Sequence, residues 1–389
     1  MRDDEQSTVD GESSEKFFYL TPLSALLFYI GESQTGGLQV STDQSTEAQD
    51  AALNFTAGLE AFAAIYQSKW PDTLTLQEDS CLRVYSQSVM RPDPGNHPQI
   101  LHHGERSPEV LVLIHGITDS PHYVAAIGKQ FHAWGFNVVM PLLPAHGEQR
   151  PWPAMRALQH TDWIAEVDTI VAHARALGDR VSVGGFSTGG ALAVRKVTKD
   201  PAAINGGLFL FAAALEIGAL KEFLMESNLG SAIGRALDGV GWLHKRLKSR
   251  MKGFIAEHGS EDLPDNHGIG SNPVKYDVFF LEGAAELADV IDDIDDHYDE
   301  QDIPRYSTIN QPVFIAHSRA DEAALFAGAK LLADNLPTAN RHCYFVDDLE
   351  HASLVLQTEV QGDPKPVPAN PEFQRMMDEI RAFVSERLL

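Results

Sequence analysis

The chain has 389 residues, of which 43% are apolar and 22% charged, the balance of an ordinary globular protein. Its 55 Asp+Glu against 30 Lys+Arg give a formal net charge of −25. Phosphate binding needs a basic face, so nucleic acid is excluded as a partner class, and polyanionic substrates and anionic membrane surfaces are disfavoured. The two cysteines, Cys81 and Cys343, form neither a disulfide framework nor a zinc-ligand spacing, which points to a reducing cytoplasm.

Residues 1 to about 16 are acidic and polar, unlike a secretory leader, and are expected to be disordered. The stretch "FFYLTPLSALLFYI" behind them is too short to span a bilayer and carries Pro22, so it reads as a segment packed on the body of the protein. A helix is expected from Thr46, where "TEAQ" fits a capping box, with Leu53, Leu59, Phe62 and Tyr66 at roughly helical spacing. Residues 69 to 109 are rich in Pro, Gly, Asn and His, and read as loops with one short strand near "CLRVYSQSV".

After Pro108 the pattern changes. "EVLVLIHG" is a continuous apolar run, as expected of a strand buried on both faces of a parallel sheet. A helix over Tyr123 to Trp134, a strand at "FNVVMPLLP", a helix over Asp162 to Leu177, the strand "RVSVGGF", a helix from Thr188 and the strand "GGLFLFAAAL" follow. The rhythm breaks at about Glu216 and returns after Ser307 with "PVFIAHS", "RHCYFV" and a terminal helix. Such alternation predicts an α/β fold with a doubly wound, mostly parallel sheet. The expected organisation is an N-terminal extension over 1–107, a core over 108–215 and 306–389, and a helical cap inserted at 216–305.

"GFSTG" (Gly185 to Gly189) matches G-x-S-x-G between a buried strand and a helix, the context in which such a turn lifts a serine hydroxyl above the sheet edge. A phosphate loop is the rival reading, and it fails because neither G-x-G-x-x-G nor a G-K-[ST] ending is present. Ser187 needs a base, and the base an orienting carboxylate, in the chain order serine, acid, histidine. Asp321 follows the strand "PVFIAHS" and His351 follows the last strand, so both loops open at the edge that carries Ser187. Glu322 is the runner-up acid, and Asp347 and Asp348 read as solvated loop carboxylates. His317 reads as a core histidine, and His146 precedes the serine and so breaks the order. The backbone N–H groups of Thr188 and Ile117 are the expected donors to the oxyanion of a tetrahedral intermediate. His115 is expected to fix that loop and not to act as a base.

Together "VLVLIHGITDSP", "PLLPAHGE", "GGFSTGG", "HSRADE" and "EHASL" resemble the α/β-hydrolase family, closest to its carboxylesterase and monoacylglycerol-lipase-like branch. The resemblance covers about residues 108–215 and 306–389, and the N-terminal hundred residues and the cap fall outside it. It implies Ser187, Asp321 and His351 as a triad, Ile117 and Thr188 as oxyanion amides, and a serine hydrolase of carboxylic esters that needs no cofactor or metal. The apolar-rich cap and the lack of a lipase export signal point to small or medium acyl esters. A thioesterase or peptidase could use the same residues, and a non-catalytic ligand-binding protein could keep the same fold. A carboxylate nucleophile, as in epoxide hydrolases or dehalogenases, is excluded by the serine.

Other features read more plainly. "HKRLKSRMK" (His244 to Lys252) is expected on an amphipathic cap helix, with transient lipid contact as its alternative but no stable membrane insertion. The acidic run Asp289 to Asp302 lacks calcium-loop spacing and reads as a solvated face. His102 and His103 form a pair in a polar loop without a third metal ligand.

Overall fold

Strand β4 (Ser107–Ile114) shows why its sequence runs apolar without alternation. Successive side chains of a strand point to opposite faces. Val110, Val112 and Ile114 join one core layer, whereas Leu111 and Leu113 join the other. Each such side chain stabilises the fold by about 1.5–3 kcal/mol when removed from water. The computed structural model describes residues 42–217, 264–278, 280–295, 306–361 and 365–389.

β4 lies in a nine-stranded sheet of order β1-β2-β3-β5-β4-β6-β7-β8-β9. The remaining strands are β1 (Thr73–Glu78), β2 (Cys81–Ser86), β3 (Gln99–Leu101), β5 (Asn137–Met140), β6 (Gly178–Phe186), β7 (Leu208–Phe211), β8 (Val313–Ser318) and β9 (Arg341–Val346). Pairing from β5 through β4, β6, β7 and β8 to β9 is parallel throughout. The carboxyl ends of these strands therefore share one edge, where α/β sheets carry their ligand sites. The mostly parallel, doubly wound sheet is the fold class that the sequence predicts.

One face is covered by α1 (Thr42–Gln67), α4 (His160–Ala174), α5 (Thr188–Lys199), α6 (Leu281–Asp295) and α7 (Phe326–Asn335). The other carries α2 (His122–Ala133) and α8 (Phe373–Arg387). A short helix, α3 (Pro151–Ala157), lies beside the carboxyl edge and contributes Trp152 and Met155 to the first layer. Among the described residues no helix is long and apolar enough to cross a membrane.

Three expectations need correction. Residues 69–109 are not loops with one strand: β1, β2 and β3 form an antiparallel extension that joins the sheet through β3 and β5. The first helix runs from Thr42, so Thr46 lies inside it and does not cap it. The acidic run is not a solvated face over its described part, because on α6 Asp289 and Asp292 are buried and Asp293 pairs with Arg195 at 2.7 Å and Lys199 at 3.2 Å. That face is acidic because it packs on the cations of α5. The N-terminal apolar stretch and the basic segment His244 to Lys252 lie outside the described residues.

Candidate active site

Ser187 occupies the turn between β6 and α5 with φ 54° and ψ −118°, backbone angles that cost a non-glycine residue about 1–3 kcal/mol. The neighbourhood holds it there. Its N–H donates to Phe211 O at 3.0 Å, and its carbonyl accepts from Ala191 N–H at 3.1 Å and Ala214 N–H at 3.0 Å. The flanking glycines are required by close approach. A Cβ at Gly185 would sit 2.4 Å from the Gly189 carbonyl carbon, and one at Gly189 would sit 2.2 Å from Ile114 O. A lone buried strand cannot hold this bend; the small residues and the β7 backbone do.

The loops after β8 and β9 meet through Asp321 and His351. His351 Nδ1 lies 2.6 Å from Asp321 Oδ2, a short charge-assisted contact in which the imidazole N–H donates to the carboxylate. Asp321 is buried, and its other oxygen accepts the N–H groups of Ala323 at 3.0 Å and Ala324 at 2.9 Å. The His351 ring lies 4.7 Å from the ring of Phe186, the residue before the serine. Among the described residues no hydrogen bond joins Ser187 Oγ to His351. Glu322 is exposed, which leaves Asp321 as the carboxylate that faces the imidazole. His317 is a buried core residue whose Nε2 bonds Ala324 O at 2.9 Å, and burial holds its pKa below the ordinary value.

The loop after β4 packs directly on the serine: a Cβ at Gly116 would lie 3.0 Å from Ser187 Cβ. Two buried imidazoles hold this loop. His115 Nδ1 pairs with Gly116 O at 2.8 Å while its Nε2 accepts Leu143 N–H at 3.1 Å. His146 Nδ1 pairs with Pro144 O at 2.9 Å while its Nε2 accepts Thr118 N–H at 3.2 Å. Each ring thus donates from Nδ1 and accepts at Nε2, which requires the neutral form. Burial, reinforced by the neighbouring His146, keeps His115 well below the usual imidazole pKa, and burial lowers His146 to about 4. Neither is poised as a base. Neither the Ile117 nor the Thr188 backbone N–H donates to an acceptor among the described residues. Thr188 Oγ1 is also buried without a hydrogen-bond partner there.

A strap from between β7 and β8 packs on the same loop. Tyr276 N–H donates to Thr118 O at 2.8 Å, Ser120 Oγ donates to Val274 O at 2.7 Å, and Lys275 Nζ meets the buried Asp119 at 2.6 Å. Arg91 and Asn96, from the N-terminal extension, donate to the carbonyls of Asn272 and Pro273. The α6 helix then crosses the Ile117 side chain, where a Cβ at Gly283 would come 2.8 Å from Ile117 Cδ1. The sequence reading missed this clamp and set His146 aside for its place in the chain order. No spacing rule announces it, because its partners are far apart in the chain and most of its bonds go to backbone groups.

His160, Glu286 and Asp289 also bring ligand-type atoms within 4.8 Å of one another. Glu286 accepts the backbone N–H of His160 at 2.7 Å, so the cluster ties α6 to the start of α4. His102 is buried against Gln77, and His103 stacks on His132 with ring centres 4.1 Å apart.

Residues 105–356 match the profile of the family described as serine aminopeptidase, S33. The chain belongs to this family of α/β-hydrolases. A thermostable monoacylglycerol lipase from Bacillus sp. (strain H-257) is 26% identical over 139 residues, 36% of this chain and 53% of that protein. The match thus spans about half the length of that relative. A solved structure from work on the metagenome-derived lipolytic enzymes LipS and LipT is similar at 19% identity and a TM-score of 0.53. It covers 76% of this chain and 99% of that one, and the likeness is one of fold.

Proposed function

We propose that the protein is a serine hydrolase that cleaves small or medium carboxylic esters through an acyl-enzyme on Ser187. The observation that carries the reading is the 2.6 Å pairing of His351 with buried Asp321 at the sheet edge where Ser187 is held in its strained turn. In this reading His351 Nε2 takes the hydroxyl proton as Ser187 Oγ attacks the carbonyl carbon, then gives it to the leaving alcohol. Asp321 keeps the tautomer with hydrogen on Nδ1 and stabilises the imidazolium. The bond from Oγ to Nε2 forms when substrate is bound, since such contacts are commonly loose in free enzymes. The N–H groups of Ile117 and Thr188 receive the developing oxyanion, and they meet the first requirement for that role by being uncommitted among the described residues. Water activated by His351 then releases the acid.

The family description raises cleavage of a peptide at its amino end as the rival. Binding a free amino group calls for an available carboxylate, and Asp119, beside the oxyanion loop, is already paired with Lys275 at 2.6 Å. The partial relative is a monoacylglycerol lipase, which favours a neutral ester. A panel of p-nitrophenyl esters of graded acyl length tests the reading. Turnover that peaks at short or medium chains and vanishes in Ser187→Ala supports it; turnover of aminoacyl amides alone overturns it.

A further inference from the structure

The family match begins at residue 105, yet the structure runs a chain of hydrogen bonds from before that point into the proposed oxyanion site. Tyr66 is the buried end of α1, its ring packed edge-on to Phe62 at 5.4 Å and stacked on Trp70 at 5.9 Å. Its hydroxyl accepts Leu142 N–H at 3.0 Å. The next residue, Leu143, gives its N–H to His115 Nε2 at 3.1 Å, and the Nδ1 of that ring pairs with Gly116 O at 2.8 Å.

Gly116 C=O and Ile117 N–H are the two ends of one planar peptide group. Whatever fixes the carbonyl therefore fixes the direction of the N–H. Leu143 decides which tautomer His115 adopts, because its N–H must meet a bare Nε2, and Tyr66 decides where the Leu142–Leu143 backbone lies. Burial raises the Tyr66 pKa well above its ordinary value, with Glu166 adding to the rise, so the hydroxyl stays protonated and its acceptor role does not change with pH in the working range.

We propose that Tyr66, on a helix outside the family match, is a positioning residue for catalysis that aims the Ile117 N–H through Leu142, Leu143 and His115. The proposal rests on the reading of Ile117 as an oxyanion donor. The α1 helix is thereby a working part of the active site and not merely a decoration on the sheet.

The test compares Tyr66→Phe with Phe55→Leu in the full chain. Phe55 is another buried α1 residue, so its substitution weakens helix docking while leaving the hydroxyl in place. Tyr66→Phe should lower kcat on a p-nitrophenyl ester about tenfold with KM unchanged, short of the ~10²–10³ expected for losing a donor outright. Hydrogen exchange should quicken in peptides covering 115–119 and 142–146 and stay at wild-type rates over α5. Phe55→Leu should lower Tm without either effect. Wild-type kcat and wild-type exchange at 115–119 in Tyr66→Phe would overturn the proposal, and so would an equal kcat loss in Phe55→Leu. If the wild type itself neither cleaves esters nor reacts with a fluorophosphonate, the functional reading has failed, and unchanged exchange in Tyr66→Phe would separately overturn the coupling.

Discussion

Replacing Asp321 by asparagine changes one atom of the site and should nearly silence it. The carboxylate oxygen that meets His351 Nδ1 at 2.6 Å would become either an amide nitrogen or an oxygen taken from the loop. The loop decides which. Ala323 and Ala324 donate to the other oxygen at 3.0 and 2.9 Å, so the amide oxygen stays with them and the amide N–H₂ faces the imidazole. A donor facing Nδ1 forces that nitrogen to accept, which puts the ring hydrogen on Nε2. In that tautomer His351 cannot take the serine proton. The expected loss in kcat is about 10⁴, or roughly 5 kcal/mol at 1.36 kcal/mol per decade. The fold should survive, because both backbone bonds of the loop are kept, and Tm should shift by no more than a few degrees, about what ~1 kcal/mol produces. Steady-state turnover of a p-nitrophenyl ester is the assay, with Glu322→Gln as the companion variant. Glu322 is exposed, and its variant should keep wild-type turnover. A kcat for Asp321→Asn within tenfold of wild type, or an equal fall in Glu322→Gln, would refute the reasoning.

Two further outcomes follow from Thr188 and Glu148. Thr188→Val removes a buried hydroxyl that has no partner among the described residues, so it should raise stability by about 1 kcal/mol and leave turnover intact if only the N–H is used; thermal unfolding and ester turnover read the two effects, and a large loss of turnover would assign the work to the hydroxyl instead. Burial raises the Glu148 carboxyl from 4.5 to about 7. The folded protein therefore holds a proton between these values that the unfolded chain has released, so this group's effect on stability worsens as pH rises through that window and levels off above 7. The Tm advantage of Glu148→Gln over wild type should widen from pH 5 to pH 8, by at most roughly 3 kcal/mol in stability terms; a gap independent of pH would contradict it.

The parallel strands were legible because burial on both faces leaves unbroken apolar runs such as "EVLVLI" and "LFLF". The serine turn was legible because close backbone approach admits only glycine at positions such as Gly185 and Gly189. What the sequence hid was shorter or more remote. Gln99–Leu101 is a strand of three residues, below the length at which alternation can register, and β1 is a partly exposed strand. Tyr66 showed only as one apolar position of a helix, since a hydroxyl that serves a backbone N–H 76 residues away leaves no local pattern. His146 was set aside for its place in the chain order, and no local pattern marked its actual role, because its partners are backbone groups, Pro144 O and Thr118 N–H.

The most direct trial of the account is to treat the full chain with a fluorophosphonate and locate the adduct by peptide mass spectrometry. A single phosphonylated residue at Ser187, absent from Ser187→Ala and slowed in Asp321→Asn, is the result the account predicts. An unlabelled protein that nonetheless hydrolyses esters, or a label carried by another residue, would contradict it.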